Sequence, residues 1–425
     1  MNLTEKIESY IYSNIVPNRK RTIGVEIEGL YYDKNLKRLP VNPSNKYSAT
    51  DLLNDIKQLN DSDSLFNYSL EPGGQLEWAS GPSISLWDIK KQLENHLKLE
   101  NRICEANKIN RLYLSVDPMY KPQDIDLIHS KKYESMDKVF QKTGHLGPWM
   151  MRNTTSVQVN IDFTSRQDAN EMAFIADVIQ PLFSMLFSNA PFMNGQAAKT
   201  DNLRWKIWEN TDNSRCRSLF DHDIYVPKSM VNNYAKWIQN VPAIFEINNS
   251  SAISFSGSLG EMLSKHSDDL DQHILSALRQ SFTHVRYKKV LEIRAADRPI
   301  KGNEMCPPAF LAGLLTAQSV REELMEIISR WSKNDRKKLI VLANNLSLDK
   351  TGPQGKSLQE WLEILADLSL RGLDERSVYF KIKNERSLLE PYLMNLINSG
   401  PSTLQIQKRF QKTKFSLDSF LLELT

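Results

Sequence analysis

Among 425 residues there are only three cysteines, Cys104, Cys216 and Cys306, too few and too scattered for a disulfide framework or a cysteine-ligated zinc site. No apolar run approaches the ~18 residues that a membrane-spanning helix requires. Neither sign of charge dominates. The 54 Lys and Arg against 51 Asp and Glu leave a formal charge of +3, which offers no bulk field for nucleic acid or a membrane surface. Internal repeats and low-complexity tracts are lacking too. The opening residues are polar and carry Glu5, so a secretory signal is not expected and the protein reads as soluble and cytoplasmic. The length fits one large enzyme domain or two to three smaller ones.

Period-two alternation and β-branched residues predict strands at Arg21–Tyr32, Gln75–Ala79, Thr155–Phe163 and Val290–Ala295. The stripe Leu86, Ile89, Leu93, Leu97 and Ile103 predicts a helix reaching about Asn107. A second helical pattern over roughly Arg166–Ser188 is expected to bend or break at Pro181. From Pro307 onward the pattern is almost wholly helical, and Ser357 with Glu360 reads as a capping box. The expected fold is α+β, in one continuous globular domain. Its sheet-bearing core spans about residues 20–306 and its helical C-terminal part about 307–425. One-sided strand patterning favours antiparallel pairing.

Side chains alternate across a strand, so each predicted strand places its polar residues on one face. Those residues are Glu26 and Glu28; Gln75 and Glu77; Gln158, Asn160 and Asp162; and Glu292 and Arg294. For any one strand, a face that simply meets water is the plainer reading. The residue types speak against it for all four together, because acids are depleted in strands generally. If the strands share a sheet, Glu26, Glu28, Glu77 and Glu292 converge, with Glu71 near the turn. Two carboxylates ~4 Å apart repel by ~4 kcal/mol at an effective dielectric of 20, so such a group needs cations or protons. Oxygen ligands without Cys or His point to a hard divalent ion, Mg²⁺ or Mn²⁺, of the kind that accompanies phosphoryl transfer. Arg294 shares the face of Glu292. Arg204 and Arg215, each alone a plausible surface arginine, would add positive charge for a phosphoryl group or a substrate carboxylate. Gly352, Gly355, Lys356 and Ser357 resemble the end of a phosphate-binding loop. The first glycine is two residues too close, however, and no buried strand precedes it.

These stretches together resemble the plant and proteobacterial type of glutamate–cysteine ligase, a branch of the carboxylate–amine ligases. The resemblance lies in Gly24-Val25-Glu26-Ile27-Glu28, in Glu71-Pro72-Gly73-Gly74-Gln75-Leu76-Glu77, and in Met150-Met151-Arg152 leading to Val157–Phe163. It continues in the block from Arg204 through Trp208 and Asp212 to Arg215, in Leu291–Asp297, in Cys306–Phe310 and in Gly372–Arg376. It implies a curved antiparallel sheet of the glutamine-synthetase-like type, with ATP as co-substrate and Mg²⁺ or Mn²⁺ on the concave face. The implied reaction is phosphorylation of the glutamate γ-carboxylate, followed by attack of the cysteine amine on the acyl phosphate. The resemblance makes Glu26, Glu28, Glu71, Glu77 and Glu292 metal ligands. It makes Gln158, Asn160, Arg215 and Arg294 nucleotide- and phosphate-binding residues, and Arg204 with Trp208 the glutamate-holding pair. Arg294 and Glu77 take the catalytic roles. Lys132-Tyr133 stands where the plant pattern has Arg-Tyr.

Two other readings of the sequence stay open. One is a ligase of the same mechanism with another amino-acid donor or amine acceptor. The other is a non-catalytic nucleotide-binding relative. The expected partners are small molecules only, with no nucleic acid and no membrane, and the expected state is a monomer or homodimer.

Overall fold

The computed structural model describes residues 1–60, 65–248, 251–266 and 270–425. Its centre is a seven-stranded sheet. In chain order the strands are β1 (Ile23–Asp33), β2 (Asn67–Leu70), β3 (Leu76–Ala79), β4 (Ile109–Leu112), β5 (Ser156–Ile161), β6 (Val285–Tyr287) and β7 (Leu291–Asp297). Across the sheet the order is β6-β7-β5-β1-β3-β2, and β4 pairs with the far end of β1. Every pairing is antiparallel, as the one-sided patterning suggested. The four predicted strands appear within a residue or two of their expected ends. Strands β2, β4 and β6, only three or four residues long, are too short to show a period.

The apolar face of the sheet is built from Ile23, Val25 and Ile27 of β1, Val157, Val159 and Ile161 of β5, and Leu291 and Ile293 of β7, all buried. Against it lie the helices Arg166–Leu186, which packs on β7, and Cys306–Thr316, which packs on β5. The first of these corrects the expectation at Pro181. The helix runs unbroken through the proline, because nearly every residue from Asp168 onward is buried and packing outweighs one lost backbone hydrogen bond. The helix Leu86–Asn107 matches its prediction. Ser85 caps its start by accepting from the Trp87 amide, and it stops at Lys108, whose backbone is left-handed.

Beyond residue 305 the described elements are helices and short helical turns. Cys306–Thr316 crosses Leu358–Phe380 where Gly313 meets Gly372. A Cβ on Gly372 would lie 2.0 Å from the Gly313 carbonyl oxygen, so neither position tolerates a side chain at this crossing. The capping box of Ser357 and Glu360 opens the second helix as predicted. Gly352 and Gly355 flank a single short turn with no strand before it, so no phosphate loop forms there. One hydrophobic cluster extends from Ile7 to Leu396 and joins sheet and helices. Among the described residues no helix is long and apolar enough to cross a membrane. All three cysteines are free thiols.

Candidate active site

Pairing register turns the polar faces of four strands into one surface. Glu28 of β1 stands opposite Glu77 of β3, and Glu77 stands opposite Ser69 of β2. Glu26 stands opposite Gln158 of β5, Asn160 opposite Glu292 of β7, and Glu292 opposite Arg286 of β6. The surface floors a cavity of about 430 Å³. Five carboxylates line it (Glu26, Glu28, Glu71, Glu77 and Glu292), together with six cations, Lys132, Arg204, Arg279, Arg286, Lys288 and Arg294. A wall of Met136, Met150, Trp208, Phe245 and Phe282 closes one side.

Glu71 enters from the turn between β2 and β3. That turn needs both of its glycines. Gly74 has φ +77°, and a Cβ on Gly73 would lie 2.5 Å from the backbone of Arg152. Gln75 fastens the turn from below. Its Oε1 accepts from the Gly73 amide at 2.9 Å, and its Nε2 donates to the Thr154 carbonyl at 2.9 Å. Gln75 is therefore scaffold, although it alternates with Glu77 in sequence.

The charges divide by side. Carboxylate oxygens of Glu28, Glu71 and Glu77 all lie within 4.8 Å of one another, and none of the three is in an ion pair among the described residues. Burial, reinforced by the neighbouring Glu71, raises the Glu28 carboxyl to about 7. Burial raises Glu71 as well, with Glu26 adding to it, and lifts Glu77 well above the usual carboxylate range, with Glu26, Glu71 and Glu28 adding to it. Neutral side chains orient these acids. Ser69 donates to Glu77 at 2.7 Å, Gln158 to Glu28 at 2.9 Å, and Asn160 to Glu26 at 3.0 Å. Crowded carboxylates without a direct ion pair, presenting only oxygen, fit a hard divalent ion such as Mg²⁺ or Mn²⁺.

On the other side Glu292 is fully buried, and its carboxylate contacts Arg286, Lys288 and Arg294, the last at 3.1 Å. Despite its burial these three cations hold it well below the usual carboxylate range. Arg294 also donates to Gln158, so an amide bridges it to Glu28. The guanidiniums of Arg204 and Arg294 both lie over the Trp208 ring, 5.8 and 5.7 Å from its centroid. Arg204 donates to the Arg294 carbonyl at 3.2 Å and faces Asp297 at 3.8 Å.

Of the residues singled out in the sequence, the structure brings Glu26, Glu28, Glu71, Glu77, Glu292, Gln158, Arg204, Trp208 and Arg294 to the cavity. Asn160 lies beside it, on Glu26. Arg215 is not brought to the cavity lining. Its guanidinium is spent on Asp212 at 2.8 Å and on the carbonyls of Gln280 and Pro242. Sequence reasoning missed Arg286, Lys288 and Arg279. Arg286 precedes Glu292 by six residues and pairs with it across a tight hairpin, and Lys288 lies in the turn between them.

Clustered acids beside clustered cations on an antiparallel sheet can hold a divalent ion and a polyphosphate together, which an ATP-dependent ligase needs to activate a carboxylate for attack by an amine. The comparisons with known proteins agree. Residues 22–400 match the model of the family described as glutamate-cysteine ligase family 2, and the chain belongs to that family. It is 27% identical to the chloroplastic glutamate–cysteine ligase A of Oryza sativa subsp. indica, over 88% of this chain and 78% of that one. It is 26% identical to the chloroplastic glutamate–cysteine ligase of Arabidopsis thaliana, over 88% and 74%. Among solved structures, a glutamate–cysteine ligase from Francisella tularensis in complex with AMP shares the fold. Its TM-score is 0.59 at 13% identity, over 95% of this chain and 87% of that one. A bifunctional glutathione synthetase from Pasteurella multocida aligns over the whole chain and 54% of its own, with a TM-score of 0.51 at 12% identity.

Proposed function

We propose that the protein joins the γ-carboxylate of L-glutamate to the amine of L-cysteine at the expense of ATP, giving γ-glutamylcysteine, ADP and phosphate. The observation that carries the reading is the divided cavity. Three crowded acids, Glu28, Glu71 and Glu77, face a basic side built around Arg286, Lys288 and Arg294. The acids would hold Mg²⁺ or Mn²⁺, which when bound offsets the charge of the polyphosphate.

The chain's own residues supply the rest. Arg204, over the Trp208 ring and buried in the wall, would take the α-carboxylate of the donor by a charge-assisted pair. Arg294, whose Nη1 donates to both Glu292 and Gln158, would meet the charge that builds on the transferring phosphoryl group. In the first step a γ-carboxylate oxygen bonds to the terminal phosphorus and ADP leaves. In the second the neutral amine attacks the acyl carbon, phosphate leaves and one proton is released. The apolar wall of Met136, Met150, Phe245 and Phe282 suits an acceptor with a small apolar or thiol side chain. A cytoplasmic location belongs to the same proposal.

The test measures ADP release with Mg²⁺ across a panel of amino-acid pairs, with mass detection of the product. Turnover with glutamate plus cysteine and a product of γ-glutamylcysteine mass is expected. Turnover only with another amine would replace the acceptor, and no turnover with any pair would remove the enzyme reading.

A further inference from the structure

The basic side of the cavity is built around one acid. Glu292 has no exposed surface, and its two oxygens are shared by Arg286, Lys288 and Arg294. Three cations therefore cluster on one carboxylate, and all three line the cavity. Such a cluster of cations is suited to an anion. The three are also unequally anchored. Arg286 is pinned by a second nitrogen to the Ser281 carbonyl at 2.9 Å, and Arg294 by Gln158. Lys288, 18% exposed, is ion-paired to Glu292 alone among the described residues and is the freest to move. A carboxylate so enclosed is not available to a divalent ion, because the ion would add two positive charges beside three. The acid trio across the sheet has no direct ion pair among the described residues, so its oxygens are open to a metal from the start.

We propose that Glu292 is a place-holding anion, neutralising Arg286, Lys288 and Arg294 until a polyphosphate takes these cations over. Its release from them then lets Glu292 face a divalent ion, so nucleotide and metal assist one another at this end of the site. The inference rests on the ligase reading above and extends it. It assigns Arg286 and Lys288 to the polyphosphate and gives Glu292 a role that begins before any metal binds.

The two roles of Glu292 separate in the absence of metal. A residue that served only as a metal ligand would, when made neutral, change metal-free nucleotide binding no more than Glu77→Gln does, through the general repulsion that every acid of the cavity exerts. A place-holding anion competes with the phosphates, so removing its charge should tighten their binding. The experiment is calorimetric titration of the full-length protein with ADP in EDTA. We expect Glu292→Gln to bind metal-free ADP about tenfold more tightly than the parent, and Lys288→Met to bind it about tenfold more weakly. Glu292→Gln binding no more tightly than Glu77→Gln, with its circular dichroism and melting unchanged, overturns the proposal. Should Glu292→Gln fail to fold, Lys288→Met decides alone, and an unchanged ADP affinity overturns it equally. Turnover of the parent enzyme with amino acids is measured separately, so failure of the ligase reading and failure of this one are distinguishable.

Discussion

Making Glu77 neutral should stabilise the protein when no metal is present and remove its response to metal. Carboxylate oxygens of Glu28, Glu71 and Glu77 lie within 4.8 Å of one another. At that separation two full charges repel by ~3 kcal/mol at an effective dielectric of 20. Glu28, buried and raised from 4.5 to about 7, costs on the order of 3 kcal/mol to hold ionised at pH 8. Glu77→Gln keeps the shape and still accepts from Ser69, while deleting one charge from the group. We expect the variant in EDTA at pH 8 to be more stable than the parent by about 1–3 kcal/mol, a rise in Tm of a few degrees.

The pH dependence has a fixed sign. Acids raised in the folded state keep protons that the unfolded chain has already lost. The metal-free parent therefore loses stability as pH rises from about 4.5 through about 7, where Glu28 ionises, and its gap to the variant, which lacks the raised Glu77 carboxyl, widens as pH rises above about 4.5. Adding Mg²⁺ should raise the parent's Tm by several degrees and leave Glu77→Gln nearly unmoved. The assay is thermal unfolding at pH 5.5 and 8, with EDTA and with Mg²⁺. A variant less stable than the parent in EDTA at pH 8, or one that responds to Mg²⁺ like the parent, refutes the crowding of charge at this site.

Arg204→Ala should raise the donor KM at least tenfold with nucleotide affinity nearly kept, and steady-state kinetics showing an unchanged donor KM would remove Arg204 from the donor site. Arg294→Gln should lower kcat by about 10²–10³-fold while the fold persists, which single-turnover phosphoryl transfer would check. Divalent-ion affinity should fall as pH drops below about 7, because protons then compete for Glu28; titration calorimetry showing pH-independent affinity would contradict this. Arg215→Met should act on stability, costing about 3–5 kcal/mol in denaturant unfolding, since it strands the buried Asp212; a variant of normal stability and impaired nucleotide binding would return Arg215 to the site.

Much of the site is legible in the amino-acid sequence, because period-two alternation is a local property. Glu26 and Glu28 must share a face once β1 is a strand, and so must Glu292 and Arg294 once β7 is one. Which strands lie side by side depends on long-range pairing, and a register that sets Glu28 against Glu77 has no local trace. The shortest strand, β6, carries Arg286 on three residues, too few for a period to emerge. Arg215 shows the opposite limit. A buried guanidinium that braces carbonyls and one that binds phosphate look alike in sequence, and only its three hydrogen-bond partners distinguish them. At Pro181 burial on every side of the helix overrides the local rule. The resemblance to the ligase family joins the separated motifs in the right order, which alternation alone does not do.

The most direct test of the account follows the oxygen atoms of the donor. Glutamate labelled with ¹⁸O in its γ-carboxylate, incubated with the protein, ATP, Mg²⁺ and cysteine, should give inorganic phosphate carrying one ¹⁸O for each peptide-like bond formed. Glu77→Gln should yield none. Product formed with unlabelled phosphate, or with the label in AMP, would contradict activation of the γ-carboxylate by phosphoryl transfer in this cavity.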